Sequence, residues 1–354
     1  MYNYKKFFFI KFYFFAIIFL FNIPVNANEY EDYAKIGDYK EKLTYIYRDY
    51  LSVIDISGQI DDIITNLEAD TINKKEAMTE GTKIVQELKT LMLNTTNSLN
   101  NLKPLELSEE NKGTESLYNE FINFLRDEIE PTMTKEIDVY EKAFLNALNG
   151  QFEDPMSRYL STFDRLKIVI GSEIKLLGIE ADSYEDDNPK KNITQLYLYS
   201  NMYILEFLDA FIYILNSFYL SESNGDTDEL FTFFSNLETS LTNTIGNSEI
   251  ALEKGLENLR NYKETYSKEE YDEQTQKWVD EVLKLMDEGF SIEKEVIQTM
   301  KSSSESFTME NFAENENALN DILDDFNALD YYSYLREELA IKEADALKRI
   351  QELE

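Results

Sequence analysis

"YSNMYILEFLDAFIYIL", Tyr199–Leu215, is the most apolar stretch of the chain after its N-terminal segment, yet Glu206 and Asp209 sit in its middle. It can be a membrane span, a buried helix, or the wall of a site that uses two acids. At 100° per residue, Gln195, Glu206, Asp209, Asn216 and Ser217 fall within a sector of about 100°, shared with Tyr199, Met202 and Tyr213. Almost all the rest is Leu, Ile, Phe, Tyr or Ala, apart from Ser200 and Asn201. A span would carry two acids near the bilayer centre, at about 2.5–3.5 kcal/mol for an Asp. The stretch therefore predicts a central helix of a bundle with one thin polar stripe. The stripe has two readings: a solvated edge, or a partly buried acid pair (Glu206, Asp209) that binds a cation or a positively charged ligand. No Lys or Arg occurs between Asn192 and Glu253, so a counter-charge must come from elsewhere.

Working outward, helical spacing recurs in segment after segment, and five prolines and eleven glycines leave little punctuation for a β-protein. Tyr159, Phe163, Leu166, Ile170, Ile174 and Leu177 step by three or four after Asp154-Pro155, a cap followed by proline at the first helical position. Ile84, Leu88, Leu91, Leu99 and Leu102 make a second stripe. Leu230, Phe234, Leu237, Leu241, Ile245, Leu252, Leu256 and Leu259 make a third. Ser267-Lys268-Glu269-Glu270 reads as a capping box before Trp278, Val282, Leu285 and Met286. The fold class is all-α: long antiparallel helices forming two halves, each like a four-helix bundle.

The expected division is residues 1–27 as a signal peptide, 28–180 as a first bundle, 181–192 as a linker, and 193–354 as a second bundle with a C-terminal helical tail. A shift of 157 residues lays Ile84 on Leu241, Leu88 on Ile245, Leu99 on Leu256 and Leu102 on Leu259, with Met133 on Phe290 and Val139 on Val296. Helix breakers nearly coincide, Pro131 against Gly289. Internal duplication and a chance coincidence of helical period are the two explanations. In the tail, Leu335, Leu339, Ala346, Ile350 and Leu353 approach a heptad pattern, which serves either packing on its own bundle or an oligomer contact.

The N-terminus "MYNYKKFFFIKFYFFAIIFLFNIPVNANEY" has Lys5, Lys6 and Lys11 before an apolar run, then Pro24 and the small-residue pair Val25 and Ala27. That is the pattern of an exported protein cleaved after Ala27, the alternative being a retained anchor. Cleavage removes three lysines and no acid, moving the net charge from −35 to −38. Such a chain repels nucleic acid and anionic headgroups. Its electrostatically easy partners are a basic protein, a basic peptide, divalent ions or a basic envelope polymer.

The sequence holds no cysteine and no histidine. Disulfides, thiolate metal sites and the commonest general base are thereby excluded, and no cofactor is implied. No phosphate loop, nucleophile elbow or zinc-protease motif occurs. Asn224, Asp226 and Asp228 alternate as in calcium loops but lack the rest of one, and they suit a helix N-terminus equally. Asp321, Asp324, Asp325 and Asp330 form an acidic helix edge. Three functions remain open: an envelope binding or structural module without catalysis, a ligand- or cation-binding bundle built on Glu206 and Asp209, and a hydrolase using paired carboxylates.

"LNNLKPLELSEENKGTESLYNEFINFLRDEI", residues 99–129, resembles exported helical modules of low-GC bacteria, many of them lipoproteins. In those a leucine-rich helix ends in L-x-x-L-x-P before a polar loop and a second long helix. Here the matching residues are Leu99, Leu102, Pro104 and a helix from about Ser108. The chain departs from the pattern in lacking the lipidated cysteine, and Asn261 stands where the second copy would carry the proline. The resemblance implies a helical bundle and export, and supplies no active residues.

Overall fold

The computed structural model describes residues 27–153, 155–216, 227–267, 272–306, 308 and 318–350. Among these there are nine α-helices and no strand, so the all-α class holds. They are α1 (Ala27–Glu68), α2 (Lys74–Asn101), α3 (Lys112–Phe124), α4 (Glu130–Leu148), α5 (Pro155–Asp182), α6 (Pro189–Leu215), α7 (Thr227–Tyr266), α8 (Glu273–Ser306) and α9 (Ala318–Arg349). No helix among the described residues is long and apolar enough to cross a membrane. The signal segment before Ala27, the Asp154 cap, Asn224 and Asp226 lie outside the described residues, as do the side chains of Asp228, Asp321, Asp324, Asp325 and Asp330.

Local chemistry sets the helix ends. Asn73 caps α2 by accepting from the Lys75 and Glu76 amides, and Glu76 reaches back to the Asn73 amide. Helix α4 ends at Leu148, and two residues on Gly150 has a φ of +76°, the left-handed conformation that glycine adopts without strain. Helix α8 is described from Glu273, and Lys268, Glu269 and Glu270 of the expected capping box lie outside the described residues. Its cap is Asp272, which accepts from the Gln274 and Thr275 amides at 2.9 Å each. Pro131 does not break the chain's helical path. A π-helical turn, Leu125–Ile129, precedes it and leads straight into α4, with the proline in the first turn, where its missing N–H is tolerated. Gly289 lies inside α8, equally unbroken.

The described chain divides into two compact units that do not follow chain order. One contains Tyr45–Lys103 and Ile122–Ser172; the other contains α1 up to Thr44, Pro104–Phe121 and everything from Glu173 onward. This differs from the expected halves, 28–180 and 193–354, because α1, α3 and α5 each contribute residues to both units. Nor is 181–192 a linker. Ser183–Asn188 is a tight turn between α5 and α6 inside one unit, and Lys190 and Asn192 beyond it are buried.

In the first unit α2 packs on α4 closely enough that a Cβ on Gly81 would stand 2.3 Å from the Phe144 ring. In the second, α6 packs on α7 and α8, and α8 on α9. Phe163, Leu166, Ile170 and Leu177 of α5 are buried as their spacing predicts, and so are Trp278, Val282, Leu285 and Met286 of α8. Leu256 of the third stripe is exposed instead. The tail's Leu339, Ala346 and Ile350 are buried within their own unit, where Trp278 Nε1 donates to the Ala346 carbonyl at 2.8 Å. The buried positions of α2 (Gly81, Val85, Leu88, Met92, Thr95, Leu99) recur 156 residues on in α7 as buried Leu237, Leu241, Thr244, Ser248, Ala251 and Gly255. This is one residue out of the expected 157-residue register, in which buried Leu99 falls on exposed Leu256.

Candidate functional site

Glu206 and Asp209 both lie on the partly exposed edge of α6, but the structure gives them different surroundings. Glu206 is half-buried, and its Oε1 accepts from the Ser240 hydroxyl of α7 at 2.6 Å. Burial raises its pKa above the ordinary glutamate value, against the hydrogen bonds from Ser240 and Thr244, and the Asp209 charge adds to the rise. Asp209, one turn on, is exposed. Gln195, Tyr199, Met202 and Tyr213 are half-buried along the same edge; Tyr213 stacks on Phe233 with ring centroids 4.0 Å apart. Ser217 lies outside the described residues. Most of the other described side chains of α6 are buried, Ser200 and Asn201 included. The partner of Glu206 is thus a hydroxyl, and among the described residues no group of three or more acids converges to hold a metal ion.

The second unit holds a charge cluster that the sequence reading missed. Lys40 of α1, Glu180 of α5, Lys190 of α6 and Glu343 of α9 are exposed by 0, 3, 1 and 4 %. Lys40 donates to Glu343 in a buried ion pair. Tyr184 donates its hydroxyl to Glu180 Oε1 at 3.2 Å. Burial drives the Glu180 carboxyl well above the usual range, with Lys40 and the Tyr184 hydrogen bond pulling the other way. Burial likewise drives Lys190 well below the usual lysine range, partly offset by Glu343. Tyr184 is held well above the ordinary phenol value, so at neutral pH it remains a hydrogen-bond donor. Nearby, Arg336 of α9 forms a two-point pair with Glu293 of α8 at 2.7 and 2.6 Å, donates to Ser200 at 2.9 Å, and lies over the Tyr197 ring at 4.6 Å.

Tyr184 connects this cluster to a cleft of about 550 Å³, within the size range of small-molecule sites. Its lining comes from four places in the second unit. Tyr33 and Ile36 stand on α1, Asn111 to Leu117 at the start of α3, Ser183 to Asn188 in the α5–α6 turn, and Tyr262 on α7. Asp32 fixes one rim by accepting from the Ser108 amide and hydroxyl at 2.9 and 2.6 Å and from Asn111 Nδ2 at 2.9 Å. Burial alone would raise the Asp32 carboxyl, but these donors outweigh it and hold the pKa below the usual aspartate value. Two carboxylates, Glu185 and Asp187, line the cleft, and no Lys or Arg does.

Sequence signals for parts of this cluster existed. Lys40 falls in line with Ile36, Leu43 and Tyr47, and Glu180 continues the line of Ile170, Glu173 and Leu177, so each places a charge on an apolar face. The cleft itself has no periodic signature, since its walls come from segments as far apart as Tyr33 and Tyr262. No known protein family matches the chain, and no curated protein or solved structure does.

Proposed function

We propose that the protein is an exported, acidic helical-bundle module that works by binding cationic partners of the cell envelope rather than by catalysis. The observation that carries this reading is how the fold uses its bases. Buried bases pair inward, as in Arg158–Asp61, Arg165–Glu136, Arg336–Glu293 and Lys40–Glu343. Many surface bases bridge helices to acids of the same unit, including Lys89–Glu141, Lys263–Asp287, Lys301–Glu249, Lys342–Glu288 and Arg349–Glu281. With 69 acids against 34 bases, the acids left over are concentrated on the outside, where they attract positive charge over about a Debye length. The recurrence of buried positions between α2 and α7 supports a duplicated helical plan, which suits a scaffold.

Fractionation of producing cells, N-terminal sequencing of the purified chain and capture on immobilised polylysine test the reading together. The expected result is a chain starting at Asn28 outside the cytoplasm, retained on polylysine at low salt and released as salt rises. An intact Met1 in the cytoplasm, or equal retention on an uncharged resin, overturns it.

A further inference from the structure

We infer that the cleft between α1, α3, the α5–α6 turn and α7 is a binding site for a small organic ammonium ion. The inference takes only the sign of the ligand's charge from the envelope-module reading; the rest stands on the site itself. The cleft's volume of about 550 Å³ suits a molecule rather than a bare ion. Its lining combines three tyrosines, Tyr33, Tyr184 and Tyr262, with two carboxylates, Glu185 and Asp187. Aromatic rings with nearby acids are the surroundings that favour an alkylated ammonium, which is attracted to ring faces and needs little hydration. Of the bases near the lining along the chain, Lys35 pairs with Glu31, Lys112 with Glu115 and Lys191 with Asp186, at 2.8, 2.8 and 2.7 Å. Lys263 pairs with Asp287, and Lys190 is buried in the interior near Glu343. A phosphate or carboxylate ligand would meet two carboxylates here and no positive side chain among the lining residues. A metal ion would lack the convergent acids it needs.

The walls are braced. Tyr184 is tied to Glu180, and Tyr262 accepts from the Tyr266 hydroxyl at 2.9 Å. Gly113 offers a clean way to close the site. A Cβ placed there meets nothing within 4 Å, so a large side chain at this lining position enters open space without strain. Exchanging glycine for another residue near a helix start also removes an entropic liability.

Isothermal titration calorimetry of the full chain with choline, and with its uncharged isostere 3,3-dimethylbutanol, tests the assignment. Choline is expected to bind saturably and the isostere about tenfold more weakly, because only the cation gains from the rings and carboxylates. Gly113→Phe should abolish choline binding while leaving the melting temperature unchanged or higher. The double variant Glu185→Gln, Asp187→Asn should weaken binding about tenfold with the melting temperature retained. Absence of saturable choline binding, equal binding of the two probes, or choline binding untouched by Gly113→Phe overturns the inference. So does saturable binding of a neutral disaccharide that Gly113→Phe blocks. Retention on polylysine without choline binding defeats the cleft alone; loss of both defeats the cationic-partner reading too.

Discussion

The two units bury charge in different ways. In the first, each buried carboxylate faces an arginine: Asp61 accepts from Arg158 Nε at 2.7 Å, and Glu136 takes Arg165 and the Thr162 hydroxyl. Burial pushes the Asp61 carboxyl up to about 6, although Arg158 lowers it. Among its described residues the second unit has such a pair in Arg336–Glu293, and it adds lysines and a phenol around Glu180 and Glu343. Guanidinium is weakly hydrated and reaches a carboxylate at two points, so it suits a closed structural pair. An ammonium is a strongly hydrated point charge that resists burial. The difference teaches where each unit is specialised. The first uses charge to fix helix neighbours, and the second carries titratable groups from its interior to the wall of a cleft.

Variants that break the pairs should have the largest effect. Arg336→Met strands Glu293 in the core and removes the Ser200 bond, a loss of about 3–5 kcal/mol in urea unfolding. Arg158→Met in the first unit should lose less: burial raises both Asp61 and Glu293, so either can take a proton, but Arg336 also holds the Ser200 hydroxyl and lies over the Tyr197 ring. Equal losses would erase the contrast. Adding Glu293→Leu to Arg336→Met should recover much of the stability, since the isolated buried charge is then gone.

Backbone proximity gives a second comparison of intermediate size. A Cβ on Gly37 would stand 2.7 Å from the Ala344 carbonyl oxygen and 2.9 Å from the Lys348 amide nitrogen, both backbone atoms that cannot turn aside. At Gly81 the obstacle is the Phe144 ring. Gly37→Ala should therefore lower stability by about 1–3 kcal/mol, the usual range for overpacking, and Gly81→Ala by less. Thermal melts of the two variants side by side decide the order.

The smallest effect is expected on the edge of α6. Glu206 has its pKa raised in the fold, so its stabilising contribution is complete below the unfolded value near 4.5 and is lost as pH rises through the folded value. The melting temperature of wild type relative to Glu206→Gln should accordingly fall between pH 4 and pH 7. Asp209→Asn, on an exposed position, should stay within about 0.5 kcal/mol of wild type. A larger change at Asp209 than at Glu206 would revive the two as a working pair.

Much of the helical plan was legible because helices announce themselves locally. The inward faces of α5 and α8 follow from their own spacing, and the thin polar edge of α6 follows from the wheel. The division into units was not legible, because a polar turn such as Ser183–Asn188 has the same composition as a linker. Only burial of Lys190 and Asn192 tells them apart. The cleft was missed for a related reason: Tyr33, Thr114, Glu185 and Tyr262 share no pattern until helices bring them together. Pro131 misled in the opposite direction. A proline signals a break unless the turn before it widens, and the widening at Leu125–Ile129 depends on backbone geometry that composition does not record.

The pair Lys40–Glu343 joins residues 303 positions apart. As the chain is synthesised, the segment of α1 that carries Lys40 emerges 303 residues before its carboxylate partner. Until then that lysine lacks its native carboxylate partner, and closing so long a loop carries an entropic cost that the contacts formed on closure must offset. Native completion of the second unit is thus set by the arrival of the C-terminal helix. A chain stopped before Glu343 would leave Lys40 without the carboxylate it donates to in the finished fold.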